Sequence, residues 1–333
     1  MILISSREPR PSPSRKYTDI VRTLRRFVAL LVLLAAGSGS LAPAAERSEA
    51  HSVTDEIGLA DATIEISYVG NSAGLNRNDM RAWIGASANA VQSYYGRFPV
   101  KRVRIRIEAG EGRGAQSGTT YAYNSALIRV GVGRYSDSAD LKRDWIMTHE
   151  MVHLAMPEFG DRYAWLGEGL ATYVEPIARV QVGQLTEEKI WRDMLQDMPK
   201  GLPVAGDRGL DNTHTWGRTY WGGALFYLLA DVRIRERTGN RAGLQDALRA
   251  ILASGGNCEA SWDVRRTLAM GDKATGTNVL IELYDEMRAM PVSPDLAQLW
   301  QRLGVKLSRD GVEFDEAAPL AAIRRAITAR PGA

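Results

Sequence analysis

Four side chains between residues 149 and 168 have the types and spacing to do chemistry at one metal ion. They lie in THEMVHLAMPEFGDRYAWLGEGLATYVE, Thr148 to Glu175. Residues four apart on a helix stand one above the other, so His149 and His153 offer two imidazole nitrogens to one point. Glu150 is turned about the same helix axis by roughly 100° from His149. That places it to serve as a general base towards a water on the metal rather than as a ligand. A catalytic zinc takes three protein ligands and keeps one position open. Glu168, separated from His153 by 14 residues, is the candidate third ligand. Its neighbours Gly167 and Gly169 would let a second helix come close. Two neutral imidazoles and one carboxylate leave Zn2+ with a net positive charge, enough to acidify water and polarise a carbonyl.

These residues need two helices facing each other. The pattern predicts one from Leu141 to Met156, after Ser138 or Asp140 as cap and ending near Pro157, and a second from about Leu166. Before them, ATIEISYV (Ala62 to Val69) alternates as a half-buried strand, and Asn78 to Phe98 has helical spacing through Met80, Trp83, Ile84, Ala88 and Val91. KRVRIRIE (Lys101 to Glu108), GTTYAYN (Gly118 to Asn124) and ALIRVGV (Ala126 to Val132) read as strands. Beyond Thr186 the chain reads as mainly helical, over Glu187 to Met198, Gly217 to Thr238, Leu244 to Leu252, Asn278 to Met290 and Pro294 to Leu303. A long loop spans Met198 to Asn212. The expected organisation is an α+β subdomain over 62–175 carrying both ligand helices, then a mainly helical subdomain over 176–333.

HEMVH followed by WLGEGLATYVE resembles the gluzincin metallopeptidases (peptidase MA-like), in which a glutamate on the helix after HExxH is the third zinc ligand. YWGGALFYLLADVRIRERTGNRAGLQDALRAIL (Tyr220 to Leu252) is similar to the matching part of the glycyl aminopeptidase branch. The resemblance covers roughly Asp140 to Leu252. It implies a thermolysin-like zincin fold and peptide or protein substrates cleaved by water activated on zinc. It also implies a hydroxyl donated to the oxyanion by Tyr220, with Gly223 three residues beyond. A phenol held in a dry site can stabilise that developing charge. The connection between the ligand helices is shorter than these families use. GTTYAYNSALIRVGV has no acidic residue where they place the glutamate that holds a substrate's free amine. Aminopeptidase and endopeptidase therefore both stay open, with Glu108 or Glu111 as substitutes for that glutamate. The edge strand, Gly118 to Asn124, is the candidate to pair with an extended substrate.

Other residues are placed around the centre with plain alternatives beside them. Thr172 and Glu175 are candidates to accept from the histidines' second ring nitrogens, helix packing or capping being the alternative. His214 could line the cleft or be a solvated loop residue. Arg218 could pair a substrate carboxylate or form a local ion pair. Trp165, Tyr173, Trp216 and Trp221 could wall a substrate or simply pack the core. The single cysteine, Cys258, excludes an intrachain disulfide and has no nucleophile motif around it.

Composition excludes little but bounds the class. A chain of 333 residues, 45% hydrophobic and 24% charged, can bury a substantial core. The formal charge of +3 makes no case for nucleic acid. Arg22, Arg25 and Arg26 precede the apolar run FVALLVLLAAG (Phe27 to Gly37), and APA (Ala42 to Ala44) follows. This reads as a signal peptide over residues 1–44, with translation starting there or near Val21, then a linker over 45–61. The run is too short for a stable membrane span. The expected protein is exported, periplasmic or secreted, and without a membrane anchor after cleavage; its oligomeric state is open. Two rivals stand beside a zinc metallopeptidase. One is a noncatalytic envelope protein that keeps the fold to bind metal or peptide. The other is a chance HExxH in an unrelated helical protein.

Overall fold

The computed structural model describes residues 55–122, 125–309 and 311–330. The expected signal peptide lies outside them, as do Tyr123 and Asn124 at the end of the expected edge strand. No described helix is long and apolar enough to cross a membrane.

Five strands form one mixed sheet: β1 (Asp55–Gly58), β2 (Thr63–Gly70), β3 (Arg102–Gly110), β4 (Ala115–Tyr121) and β5 (Ala126–Gly133), in the order β1-β2-β3-β5-β4. The three central strands run parallel, and β1 and β4 close the two edges antiparallel. Alternation sorts the faces of the sheet. Ile64, Ile66, Val103, Ile105, Ile107, Ile128, Val130 and Val132 are all buried. The opposite face carries Arg104, Arg106, Glu108 and Arg129, and the Glu108 carboxylate accepts from Arg129 Nε at 2.8 Å. Strand β1 falls in the segment expected as a linker, because a run of four residues beside no apolar alternation is too short a signal to read alone.

Helix α1 (Arg77–Tyr95) crosses from β2 to β3. It starts at Asn76, whose side chain accepts from the Asn78 and Asp79 amides, and stops at Gly96 with φ of 79°. It buries Met80, Trp83, Ile84, Ala88 and Val91, the residues whose spacing predicts it.

The expected helix Leu141 to Met156 is two helices, α2 (Ser138–Lys142) and α3 (Ile146–His153). Asp144 restarts the second. Its carboxylate accepts from the Ile146 and Met147 amides at 3.0 and 3.1 Å and from Trp83 Nε1 at 3.0 Å. Helix α4 (Ala164–Gln181) follows after a 3-10 turn, so the division expected at 175/176 falls inside a continuous helix. Then come α5 (Glu187–Asp197), a π-helical turn at Arg218–Gly222 and α6 (Gly223–Thr238). Next are α7 (Leu244–Ala253), α8 (Val264–Thr275), α9 (Val279–Met287) and α10 (Leu296–Leu303). A hairpin of β6 (Val305–Ser308) and β7 (Gly311–Phe314) and a last helix, α11 (Ala321–Thr328), complete the described chain.

Helix α8 has no counterpart in the sequence reading. Its buried side includes Thr267, Gly271, Asp272 and Thr275, so its apolar stripe is too thin to stand out. Helices α4 and α6 touch at glycine. A Cβ on Gly169 would lie 2.3 Å from the Gly223 backbone, and one on Gly223 would lie 2.2 Å from the Trp165 oxygen. The close approach that Gly169 permits is thus to α6, whereas a Cβ on Gly167 would meet only His153 Nδ1 at 3.6 Å.

Candidate metal centre

Helix α3 ends at His153, its residues from Ile146 to Val152 are buried, His149 among them, and the spacing of four puts the two histidines on one face. Helix α4 crosses in front of that face and brings Glu168 to it. The Glu168 Oε2 stands 3.2 Å from His149 Nε2 and 3.6 Å from His153 Nε2. One donor atom from each of the three residues lies within 4.8 Å of the others. Two imidazole nitrogens and a carboxylate oxygen are the donor types that zinc takes at catalytic centres, and the residues fit that ion.

The charges reflect the proximity. Burial opposes a proton on His153, but the Glu168 carboxylate and its hydrogen bond outweigh it and raise the ring's pKa to about 9. Burial raises Glu168, and the two histidines more than reverse this, holding its carboxyl well below the usual carboxylate range. A cation seated among the three would replace the proton that His153 holds.

Glu150 is buried, and its carboxylate meets strand β4. The Thr120 hydroxyl lies 2.7 Å from Glu150 Oε2. Tyr220 arrives from the other side. The π-helical turn that carries it is a wider turn than an α-helix makes, a feature concentrated at functional sites. Its ring stacks on His149 at 6.3 Å between centroids and 17° between planes. Buried Arg218 anchors this turn through an ion pair with Asp207 at 2.8 Å and a hydrogen bond donated to the Gly201 carbonyl.

Three of the remaining candidates are engaged by other groups. Arg218 is engaged in that anchor, and burial lowers its pKa against the pull of Asp207. Thr172 donates to the Glu168 carbonyl at 2.7 Å, one turn back on its own helix, instead of meeting a histidine. Glu175 is buried beneath the centre with its carboxylate on Arg179 at 2.7 Å. Burial raises its pKa, Arg179 and then His149 lower it, and it therefore acts on His149 through charge. His214 is exposed on the loop before the π-helical turn. Neither substitute for the amine-binding glutamate faces the centre: Glu108 is held on the polar sheet face, and Glu111 pairs with Arg134 at 3.0 Å.

Trp165 and Tyr173 are core residues whose polar atoms donate to buried Asp211 and Asp231, each at 2.9 Å. Trp216, 39% exposed, stacks on Tyr220 at 5.9 Å. Trp145, which the sequence reading passed over, is 49% exposed and meets His149 edge-on at 5.2 Å. Cys258 is buried, and desolvation pushes its thiol up to about 12, which removes it as a nucleophile. Thr120 and Asp144 were also passed over. A capping aspartate two residues before Ile146 was a readable signal for the second; nothing in the sequence marks the first.

No family model matches the chain, and no curated protein matches it in sequence. Solved structures do. An aminopeptidase N family protein from Idiomarina loihiensis has 14% identity and a TM-score of 0.53, over 75% of this chain and 49% of its own. An M1 zinc metallopeptidase from Deinococcus radiodurans has 15% identity and a TM-score of 0.46, over 73% and 52%. Yeast LTA4 hydrolase has 12% identity and a TM-score of 0.47, over 75% and 43%. The chain spans about half the length of these proteins. The α+β fold of this chain is shared with that aminopeptidase N family protein, whereas the sequence motifs resemble the glycyl aminopeptidase branch.

Proposed function

We propose that the chain is an exported zinc-dependent metallopeptidase that hydrolyses peptide bonds. The observation that carries this reading is the convergence of His149, His153 and Glu168 donor atoms within 4.8 Å, on a helix that also carries Glu150. Zinc held by these three residues would polarise the scissile carbonyl and make water nucleophilic near neutral pH. Glu150 takes the proton of the attacking water as the oxygen–carbon bond forms, and passes it to the leaving nitrogen as the carbon–nitrogen bond breaks. Tyr220, stacked over His149, donates its hydroxyl to the oxygen that gains negative charge in between. Edge strand β4 pairs with β5 on one side and offers its other side to an extended peptide.

Replacement Glu150→Gln keeps the shape and removes the base. It is expected to lower kcat by about 10²–10⁴ while zinc content stays unchanged. Tyr220→Phe is expected to lower kcat by about 10²–10³. Full activity in Glu150→Gln would end the mechanism, and zinc uptake without turnover of a mixed peptide library would favour a noncatalytic metal or peptide binder. With Glu108 and Glu111 both turned elsewhere, cleavage of internal bonds is the favoured mode. Mass spectrometry of products from N-acetylated and free peptides tests this: loss of all cleavage on acetylation would require a free amine. Export is checked by the N-terminus of the mature protein, expected at Ala45.

A further inference from the structure

Strand β4 meets Glu150 at two residues, Gly118 and Thr120, which a strand's period of two places on the same face. The Thr120 hydroxyl lies 2.8 Å from the Glu150 main-chain oxygen and 2.7 Å from its Oε2. Both are acceptors and a hydroxyl carries one hydrogen, so that hydrogen is shared between the Glu150 carboxylate and the main-chain oxygen of the same residue. At Gly118 the strand needs the absence of a side chain. A Cβ there would stand 2.7 Å from Glu150 Cγ, 2.7 Å from Glu150 Oε1 and 2.6 Å from Ile146 Cγ2. Both residues are fixed by the sheet, through the register Gly118↔Val130 and Thr120↔Ile128. The helix sets where Glu150 begins, and the strand sets where its carboxylate ends.

We propose that Thr120 is a positioning residue for the reaction, its hydroxyl holding the Glu150 carboxylate in one orientation, and that Gly118 gives that orientation its room. The proposal rests on the reading of Glu150 as general base. A glutamate side chain has three rotatable bonds, and a general base must stand within hydrogen-bond reach of the proton it removes. A hydrogen bond made before substrate arrives removes the rotamers that would miss, which is a gain in orientation and not in substrate affinity. The effect therefore belongs to kcat.

The test compares Thr120→Val, which keeps the shape without the hydroxyl, with Thr120→Ser, which keeps the hydroxyl, in the zinc-loaded full chain. The valine variant is expected to lose about tenfold to about a hundredfold in kcat with KM unchanged, and the serine variant to stay within about threefold of the parent. Equal losses in the two variants, or none in valine, would overturn the proposal. In a Glu150→Gln background, Thr120→Val should cost nothing more; a full second loss would show that Thr120 acts elsewhere. A crystal structure of the valine variant decides the point without turnover. The Glu150 carboxylate is expected to leave its place beside residue 120, and an unmoved carboxylate refutes the hold. If the parent cleaves no peptide, or Glu150→Gln cleaves as well as the parent, the functional reading fails, and the crystal structure still settles what Thr120 does.

Discussion

At the scale of single residues, the three candidate donors hold a proton that a cation would displace. The His153 pKa is raised to about 9 by Glu168, so in the metal-free protein the ring is protonated at pH 7. The sign follows from linkage. The ion pair stabilises the metal-free fold fully below the ordinary histidine pKa of about 6.5 and is lost as pH rises through about 9. Zinc needs the neutral ring, so its affinity should climb with pH over that window and level off above it. Titration calorimetry of zinc into the metal-free protein at pH 7 should show heats that depend on the buffer's ionisation enthalpy, with proton release. Heats that are independent of the buffer would contradict the His153–Glu168 pairing. The His149, His153 and Glu168 set was legible because two histidines four apart are a local feature. The Thr120 contact was not, because a threonine in a strand of alternating residues looks like any other.

At the scale of elements, the centre depends on two close approaches. One is that of β4 to α3 over Glu150. The other is that of α4 to α6 at Gly169 and Gly223, which brings the π-helical turn and Tyr220 to the helix carrying Glu168. The Gly169→Ala substitution tests the second. Its methyl would fall on backbone atoms of α6, which have no rotamer to give way. The two helices must part, at about 1–3 kcal/mol in unfolding free energy. Because Glu168 is the preceding residue and Tyr220 lies just before α6, kcat should fall as well. Chemical denaturation and steady-state kinetics measure both, and a variant with parental stability would show that the contact is not tight. Sequence periodicity located both helices. It could not show the break at Asp144, because the apolar pattern runs on through Trp145 while the carboxylate caps the next turn.

At the scale of the molecule, the donors come from two separate helices, one of which continues into the mainly helical half. A cation there would tie the elements together and would be bound by the folded chain alone. Chelation should therefore lower the thermal midpoint and zinc should restore it. At a free zinc concentration of 100 times Kd the gain is about 2.7 kcal/mol. An unchanged midpoint with and without chelator would argue that the three residues hold no metal.

The sequence alone singled out His149, Glu150, His153 and Glu168 as candidates, since helical periodicity and a glutamate flanked by glycines are local statements. Tertiary structure decided the rest. Tyr220 reaches His149 because two glycines on different helices meet. Arg218 forms the local ion pair because Asp207 is buried against it. Glu150 points where it does because a strand distant in sequence supplies a hydroxyl at one position and no side chain at another. Each of these depends on pairs of residues far apart in the chain, and single-sequence patterns carry no information about which distant surfaces pack together.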